Sequence, residues 1–422
     1  TKDMRIVSDS TVSKFLSELT RDQIAGVLND WNKGRDHKSR IYVSYDSTNK
    51  NCQAGDVDFV EFGKAKVDLG LPIFNIGLAM DQSNRVPLFY ELYPGSVNDV
   101  SQLRFVVDKA AAYGYRNIGL IIDRGYFSKA NIKYLDEHKY GFVLMIKGCK
   151  PLVSGLVDEF RGSFETKRGC SLPKRHVNGT TVKRKLFPED KNERYLHLFY
   201  SPVKAMKDRC RFEEELEQMQ QMFERCRGEQ ITFCEPHTRF FEFMYDNEQR
   251  LVLAHEKTEA IEKQIEHCGY FCIVTSEHMS AQEAYELYYG RDGSEKLFRA
   301  DKSFLGAHST RVHSAAAVQA KMLIEFIGLI IRQRMFCLLK NEMLRLNVRK
   351  NYMTVPAAVK ELEKIELVRV LRPDQGPRDE ACRRNCRTDR RFRGCPRQRR
   401  VERRRRQRTL RYGGLQCRGL RQ

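Results

Sequence analysis

The segment PIFNIGLAMDQSNRVPLFYELYPG, residues 72–95, decides the fold of this 422-residue chain. Two runs rich in apolar and aromatic residues, 72–81 and 85–95, surround the polar stretch DQSN, and this pattern predicts a β-hairpin. The β-rich run IYVSYD, residues 41–46, predicts a strand before the hairpin. The continuous apolar run IGLIID, residues 118–123, is typical of a strand buried on both faces. The hairpin is therefore expected to belong to a larger sheet.

Helical patterns alternate with the later strands. We expect a helix from Asp99 to about Tyr113, a second from Ser128 to about His138, and then a strand at FVLMIKG, residues 142–148. Three strands, the second and third antiparallel, followed by alternating helix and strand describe a mixed α/β sheet flanked by helices. Because no G-x-G-x-x-G or phosphate-loop motif follows any strand, this order favours a ribonuclease-H-like core over a doubly wound nucleotide-binding fold.

The remaining segments predict helical ends and an interruption of the core. Two short helices are expected within residues 9–31, the first capped by Asp9 or Ser10 and the second by a capping box of Thr20 and Gln23. The predicted domains are a residual N-terminal helical segment (1–37), the first part of the core (38–149), a β-rich insertion domain (150–269), the second part of the core with the helix that carries Glu295 (270–350), and a C-terminal segment (351–422).

The second half of the chain returns to core patterns after the insertion. The insertion has strand-like pieces at 195–202 and 239–246 around a charged helix near 207–227. The apolar run FCIVTS, residues 271–276, then predicts another core strand. A helix is expected from about Ser280, and a largely apolar helix over 315–346 closes the body of the protein.

Charge is concentrated at the C-terminal end. Apolar residues make up 41% of the chain and argue for a globular protein, but the net charge is +20, and the final 52 residues, with 19 Arg, no Lys and 5 acids, supply +14 of it. We interpret this end, after about Val370, as an altered reading frame or truncated gene in preference to a nucleic-acid-binding tail. We also expect residues to be missing before Thr1. The remaining +6 fits a polyanionic partner without demanding one.

The 13 cysteines form no regular framework, and no secretory signal is recognisable. We therefore expect free thiols in a reducing cytoplasm. His267, Cys268 and Cys272 are a candidate zinc site, disfavoured because no second matched pair accompanies them. The longest apolar run, 322–331, contains Glu325 and is too short to cross a bilayer. No membrane association is predicted.

Two apolar strands end in an aspartate, Asp46 in YVSYDST and Asp123 in LIIDRGY. Strand ends of an open sheet lie side by side, so these carboxylates can converge, and Glu295 on a later helix can supply a third. Three carboxylates without His or Cys form a hard, all-oxygen site of the kind that Mg²⁺ or Mn²⁺ prefers. The alternative for each aspartate alone is a turn former or helix cap.

The helix that carries Glu295 has an unusual face. At about 100° per residue, Tyr288, Arg291, Glu295 and Lys302 fall within one narrow stripe. Arg291 and Lys302 could grip phosphates beside the carboxylate, and Tyr288 could stack on a base. Gly290 and Gly293 weaken a free helix, so their small size is expected to serve close approach to a strand. The alternative for Glu295 is a solvated residue paired with Arg291 or Arg299.

These motifs resemble one large group of bacterial insertion-sequence transposases of the DDE type. The four residues of the stripe match its Y-x2-R-x3-E-x6-K signature without a gap. YDST at 45–48, IIDRGY at 121–126 and YPGSVND at 93–99 resemble its first and second aspartate motifs and the turn between them. The resemblance covers residues 38–345.

The resemblance implies a cut-and-paste DNA transposase. It implies that Asp46, Asp123 and Glu295 are catalytic and bind two Mg²⁺ or Mn²⁺ ions. Tyr288, Arg291 and Lys302 would contact double-stranded transposon-end DNA, and a homodimer would hold two terminal inverted repeats and capture target DNA. The alternatives are a ribonuclease-H-like nuclease that never joins strands and an inactive, truncated remnant that only binds DNA. KRK at 183–185 is a candidate DNA contact, but we prefer to interpret it as a solvated face.

Overall fold

The computed structural model describes residues 8–53, 57–66, 68–97, 99–147, 150–303, 309–312, 314–349, 352–369 and 381–384. The chain forms two compact units, Val7–Cys337 and a second unit that comprises Thr1–Ile6 and Leu338–Gln422. The predicted Arg-rich end, apart from residues 381–384, lies outside the described residues.

The first unit contains twelve strands among its described residues. In chain order they are β1 (Ile41–Cys52), β2 (Ile73–Asp81), β3 (Val86–Pro94), β4 (Ile118–Ile122), β5 (Gly141–Met145), β6 (Ser171–Leu172), β7 (Val177–Arg184), β8 (Arg194–Tyr200), β9 (Phe241–Tyr245), β10 (Leu251–Glu256), β11 (Tyr270–Thr275) and β12 (Ser309–Thr310). All except β9 and β10 join one sheet, in the order β3-β2-β1-β4-β5-β11-β8-β7-β6, with β12 beside β1.

The sheet is mixed, as the sequence predicts. β2 pairs antiparallel with both β1 and β3, whereas β1, β4 and β5 run parallel. The expected hairpin is confirmed: the backbone N–H groups of Ser83 and Asn84 donate to the Asp81 carboxylate at 2.9 and 3.1 Å and close its turn. Every residue of β4 is buried, so its unbroken apolar sequence follows from coverage on both faces.

Two helices precede the first strand, and the others lie between and after the strands. They are α1 (Asp9–Glu18), α2 (Arg21–Lys33), α3 (Asp99–Ala112), α4 (Lys129–Glu137), α5 (Lys150–Phe160), α6 (Pro202–Arg225), α7 (His237–Phe240), α8 (Thr258–Glu266), α9 (Ala281–Gly290), α10 (Asp292–Ser303), α11 (Ala315–Arg345) and α12 (Val355–Leu362). The capping box of Thr20 and Gln23 is present on α2. The expected cap of α1 is wrong: Ser8, not Asp9 or Ser10, accepts the hydrogen bond from the backbone of Thr11.

Alternating residues of the central strands supply cores on opposite faces of the sheet. Leu120 and Ile122 of β4 belong to a core with residues of α3 and α4, whereas Ile121 packs in another core with Tyr285 and Tyr288 of α9. This alternation is the two-residue period of a strand. A third core joins the hairpin to α2, α10 and α11. The sheet thus holds α9 and α10 close to the ends of β1 and β4.

The predicted insertion is only partly a separate structure. β7 and β8 extend the main sheet, because β8 pairs antiparallel with β11. A separate core of mostly aromatic residues lies within α6, α7, α8, the β9–β10 hairpin and the loop before α7; its buried members are Phe212, Leu216, Phe223, Phe233, Phe240, Phe241, Leu251 and Ile261. The domain boundaries themselves stay a prediction.

The second unit contains the end of α11, α12 and a two-stranded antiparallel sheet of β13 (Glu366–Arg369) and β14 (Ala381–Arg384). Thr354 caps α12 by accepting from the backbone of Ala357. Among the described helices of the chain, none combines the length and the apolar character that a membrane crossing requires.

Candidate active site

The sheet register brings the two predicted aspartates together. In the parallel pair of β1 and β4, Tyr45 lies opposite Ile122, so the next residues along the two strands, Asp46 and Asp123, are neighbours. The expectation that both follow a strand end is right for Asp123 and wrong for Asp46. β1 continues to Cys52 because β2 still pairs with it there, beyond the end of β4.

The helix that carries the predicted stripe is interrupted. The pattern predicts one continuous helix, but α9 ends at Gly290 and α10 begins at Asp292, with Arg291 between them. At this junction the Arg291 and Ser294 N–H groups donate to carbonyl oxygens three residues earlier, at 3.4 and 2.8 Å. Gly290 and Gly293 lower the helix propensity on either side, which is the physical reason for the break.

Close packing fixes the junction against the sheet. The hydroxyls of Ser44 in β1 and Ser294 in α10 are fully buried and lie 3.1 Å apart. A Cβ at Gly293 would come within 2.8 Å of the Met80 side chain, and one at Gly290 within 2.0 Å of the Gln82 amide. The expected use of small residues for close approach to a strand is therefore confirmed for Gly293. Glu295, next to Ser294, is brought to the same edge as Asp46 and Asp123.

Arg291 connects Glu295, four residues later in the chain, to Asp123 in a distant segment. Its guanidinium lies 2.9 Å from a carboxylate oxygen of Asp123 and 3.2 Å from one of Glu295. The Arg291 side chain is 15% exposed, whereas Asp123 is 33% and Glu295 44% exposed, so solvent screens the contact with Glu295 more than the contact with Asp123. Burial pulls its pKa down, but the nearby Tyr288, Asp123, Asp46 and Glu295 outweigh that effect and hold the pKa above its ordinary value. A guanidinium thus occupies the space among the predicted acids.

The buried side chain of Tyr288 also contacts Asp123. Its hydroxyl donates to Asp123 at 3.3 Å, and the Arg291 guanidinium lies 5.1 Å from the centre of its ring. Burial raises the pKa of Tyr288, so the phenol stays a hydrogen-bond donor. Only 2% of the residue is exposed, which leaves its ring no free face for a DNA base in this structure. The contact that Tyr288 makes is one that orients Asp123.

Asp46 has a raised pKa. Burial raises its pKa from 3.8 to about 6; the neighbouring Glu295 also raises it, while Arg291, the Ser47 backbone N–H and Lys66 lower it. The Ser47 N–H donates to the carboxylate at 2.9 Å. The charged form is therefore only partly compensated by the protein. The uncompensated part of the negative charge on Asp46 favours the binding of an additional cation.

The acids fit a divalent ion in donor type. Asp46, Asp123 and Glu295 offer only oxygen, the donor preferred by Mg²⁺ and Mn²⁺. Among the described residues, no group of three acids, histidines or cysteines is already arranged as a metal cluster. Arg291 explains this, because it pairs with two of the three carboxylates. The three carboxylates fit a metal ion when the Arg291 guanidinium gives up one of its contacts with Asp123 and Glu295.

The other predicted residues lie as follows. Lys302 is in the last turn of α10 and is partly exposed. Cys268 and Cys272 are buried free thiols, and His267 pairs with Asp158 at 2.8 Å. In the KRK stretch, Lys183 lies 3.7 Å from Glu193 and Arg184 lies 2.9 Å from Glu159.

Sequence reasoning missed residues whose contribution depends on tertiary contacts. Ser44 and Ser294 are separated by 250 positions, and no local pattern links them. Lys66, whose ammonium donates to the Ser47 carbonyl at 3.1 Å, comes from an irregular loop. A sequence signal existed only for Ser44, since its place two residues before Asp46 puts both side chains on one face of β1.

Comparison with known proteins gives one family and several structural similarities, of which two are described below. A family model described as a transposase DDE domain matches residues 56–331, well over half of the chain. This range includes Asp123 and Glu295 and begins after Asp46. The sequence matches none of the curated proteins.

Two solved structures are distantly similar. One is a piggyBac transposase in a synaptic complex with hairpin DNA, with 9% identity and a TM-score of 0.38, covering 84% of this chain and 59% of that one. The other is Mos1 transposase in a paired-end complex with the left transposon end, with 14% identity and a TM-score of 0.17, covering 33% and 43%. The chain therefore spans less than two thirds of the length of either protein.

Proposed function

Because this chain belongs to the family of transposases that carry a DDE domain, we propose that it is a cut-and-paste DNA transposase. It would cut the DNA backbone at the ends of a bacterial insertion sequence and join the freed ends to target DNA in the cytoplasm. The core would be ribonuclease-H-like, a proposal supported by the strand order β3-β2-β1-β4-β5 with β2 antiparallel to its neighbours.

One observation carries the proposal. Arg291 pairs with Asp123, at the end of β4, and with Glu295, on α10, while the strand register sets Asp46 beside Asp123. These acids come from three distant stretches of the chain. The contact between Arg291 and Asp123 crosses between distant elements, which is not expected of a turn former whose partners are local, and Asp123 makes no capping hydrogen bond. The Arg291–Glu295 pair is an i,i+4 contact of the kind that the alternative for Glu295 also predicts. The convergence of the three acids supports the assignment of Asp46, Asp123 and Glu295 as the catalytic acids.

The acids would hold two Mg²⁺ or Mn²⁺ ions. When bound, such ions polarise the phosphodiester, favour deprotonation of water and stabilise the departing oxygen. The protein supplies the arrangement: Tyr288 and the Ser47 N–H orient the carboxylates, and the buried Ser44–Ser294 contact holds Glu295 near the strands. Asp46, with its pKa near 6, would lose its proton before it could act as a ligand.

The reaction has two balanced steps. In cleavage, water attacks phosphorus and the P–O3′ bond breaks, so the transposon end keeps a 3′-hydroxyl and the other strand segment keeps a 5′-phosphate. In joining, that hydroxyl attacks a phosphorus of target DNA, and the target's P–O3′ bond breaks as the new bond forms. In each step the proton of the attacking oxygen is lost and the departing oxygen gains one.

Arg291 and Lys302 are proposed to contact DNA near the cut, and Tyr288 to position Asp123. Arg291 can bind a phosphate only by giving up one of its carboxylate contacts, since its guanidinium already serves two. Metal ions would then supply the positive charge that the carboxylates lose when the Arg291 guanidinium moves to the phosphate. A homodimer that holds two ends together is proposed from the resemblance and needs its own test.

The experiment uses DNA that carries the sequences flanking the protein's own gene. We expect Mn²⁺- or Mg²⁺-dependent nicking at one position, and joining of a pre-cut end to a second DNA. Nicking without joining would favour a simple nuclease. Salt-sensitive DNA binding without any nicking would favour an inactive remnant. Nicking by Asp46→Asn at the wild-type rate would reject the site.

A further inference from the structure

A strongly basic pocket lies beside the candidate active site. It encloses about 420 Å³ and is lined by parts of the β2–β3 hairpin, the α9–α10 junction and α11. Five cations line it: Arg85, Arg175, Lys296, Arg299 and Arg332. Asp292 is the one acid among its lining residues. This balance of charge favours an anion.

Four of the five cations of this pocket have no acidic partner among the described residues. Within the described parts of the chain, Arg85, Arg175, Lys296 and Arg332 make no ion pair. The Arg332 Nε is buried and has no hydrogen-bond partner there, and neither has the Gln82 Oε1 on another wall. Burial lowers the pKa of Arg332, which means that its charge lacks compensation. A partly buried guanidinium without a partner, such as that of Arg332, is costly unless a ligand completes it.

The pocket and the acids share one structural junction. Arg291 and Glu295 face Asp123, whereas Gly290, Asp292, Gly293 and Lys296 line the pocket. The two glycines let Met80 and Gln82 pack against this wall of the pocket, while Tyr289 and Phe336 supply aromatic surface nearby. A DNA strand bound at Glu295 would therefore also lie beside the pocket.

We propose that this pocket binds a backbone phosphate of the DNA strand whose neighbouring phosphodiester lies at Glu295. The inference rests on the proposed function and adds a second contact to it. Guanidinium groups bind phosphate oxygens through paired N–H donors, which suits Arg85, Arg175 and Arg332. Lys296 adds a mobile point charge at the rim. Anchoring one phosphate would set the register of the strand relative to the acids.

The test measures the salt dependence of binding to a fluorescent duplex, in EDTA so that no strand is cut. The variant Arg85→Gln/Lys296→Gln removes two exposed cations of the pocket. The matched control Lys133→Gln/Lys207→Gln removes two exposed cations on α4 and α6. Thermal unfolding of both variants checks that each is folded, and inorganic phosphate serves as a second, non-polymeric probe.

We expect the pocket variant to lower the slope of log affinity against log salt by about 1, the change for one lost phosphate contact. The control variant should change this slope by less than half as much. The charge-preserving variant Arg85→Lys/Lys296→Arg should keep most of the wild-type slope. A pocket variant with the wild-type slope would overturn the inference, as would an effect confined to inorganic phosphate. Failure of wild type to bind DNA would overturn it as well.

The same samples separate this inference from the proposed function. If the slope changes as expected but wild type never nicks DNA in Mn²⁺, the pocket stands and the catalytic proposal falls. If wild type nicks DNA and the pocket variant keeps its slope, the catalytic proposal stands and the pocket falls.

Discussion

The α6 helix of the insertion and the α9–α10 junction use their charges in opposite ways. In α6 three cations pair four residues along the same helix: Lys204 with Asp208, Arg209 with Glu213 at 2.7 Å, and Arg211 with Glu215 at 3.2 Å. At the junction, Arg291 is largely buried and binds acids from two different elements.

The difference shows that the density of charge in a sequence is a poor guide to where a protein meets its ligand. Exposed i,i+4 pairs contribute about 0.3–0.5 kcal/mol each and are weakened by salt. A shared, partly buried guanidinium couples distant segments, and its removal leaves carboxylates facing one another. We therefore expect substitutions at the junction to have large effects and those on α6 to have small ones.

Loss of a catalytic acid is the largest expected effect. Asp123→Asn or Glu295→Gln should reduce metal-dependent nicking by roughly a thousandfold or more, because several kcal/mol of transition-state stabilisation depend on the metal ligands. Initial rates of nicking measure this. Glu286→Gln, an exposed acid one turn before the junction on α9, is the control and should keep the wild-type rate. If Glu286→Gln lost as much nicking activity as Asp123→Asn and Glu295→Gln, the loss could not be assigned to the two catalytic acids.

Arg291→Gln should lower the free energy of unfolding by about 1–3 kcal/mol without metal, since two ion pairs are lost and Asp123 and Glu295 repel each other. The same variant should bind Mn²⁺ more tightly, because the competing guanidinium is gone. Denaturant titration and calorimetry measure the two quantities. A variant with unchanged stability and weaker Mn²⁺ binding would show that Arg291 supports the acids in another way.

Asp46→Asn should stabilise the protein at pH 7–8. Burial raises the pKa of Asp46 to about 6, above its unfolded value near 3.9, so the folded state binds more protons between these values. Its contribution to stability is present below pH 3.9 and is lost as the pH rises through 6. We expect a gain on the order of 2 kcal/mol for Asn at pH 8 and none at pH 4. A variant less stable than wild type at pH 8 would contradict this.

Arg211→Gln on α6 is expected to have the smallest effect. The Arg211 side chain is 79% exposed, and its contact with Glu215 is an ordinary helix-surface pair. Its loss should change the free energy of unfolding by less than about 0.5 kcal/mol and leave nicking unaltered. A tenfold loss of nicking would show that α6 takes part in DNA handling.

Local patterns predicted most of the fold because local physics decides it. Hydrophobic runs and turn residues predicted β2, β3 and β4, and Ser128 and Thr20 capped the expected helices. The break at Arg291 had a local signal in the two flanking glycines, but the aligned stripe favoured a continuous helix. The joining of β7 and β8 to the main sheet could not be predicted, since it depends on pairing with β11 across a long interval of sequence.

The candidate site was predicted as a set of residues but not as a set of contacts. The acids follow from strand positions and from the Y-x2-R-x3-E-x6-K spacing. That spacing does not reveal that Tyr288 is buried against Asp123 or that Arg291 is already paired. The unpaired cations of the pocket were missed because Arg85, Arg175 and Arg332 come from three separate elements that only the tertiary fold brings together.

Binding of Mn²⁺ to the purified protein at pH 8 tests most directly whether the three acids form one metal site. Calorimetric titration should show saturable binding by wild type, at least tenfold weaker binding by each of Asp46→Asn, Asp123→Asn and Glu295→Gln, and no change in Glu286→Gln. Wild-type Mn²⁺ affinity in any one of the three acid variants would show that this residue does not belong to the metal site.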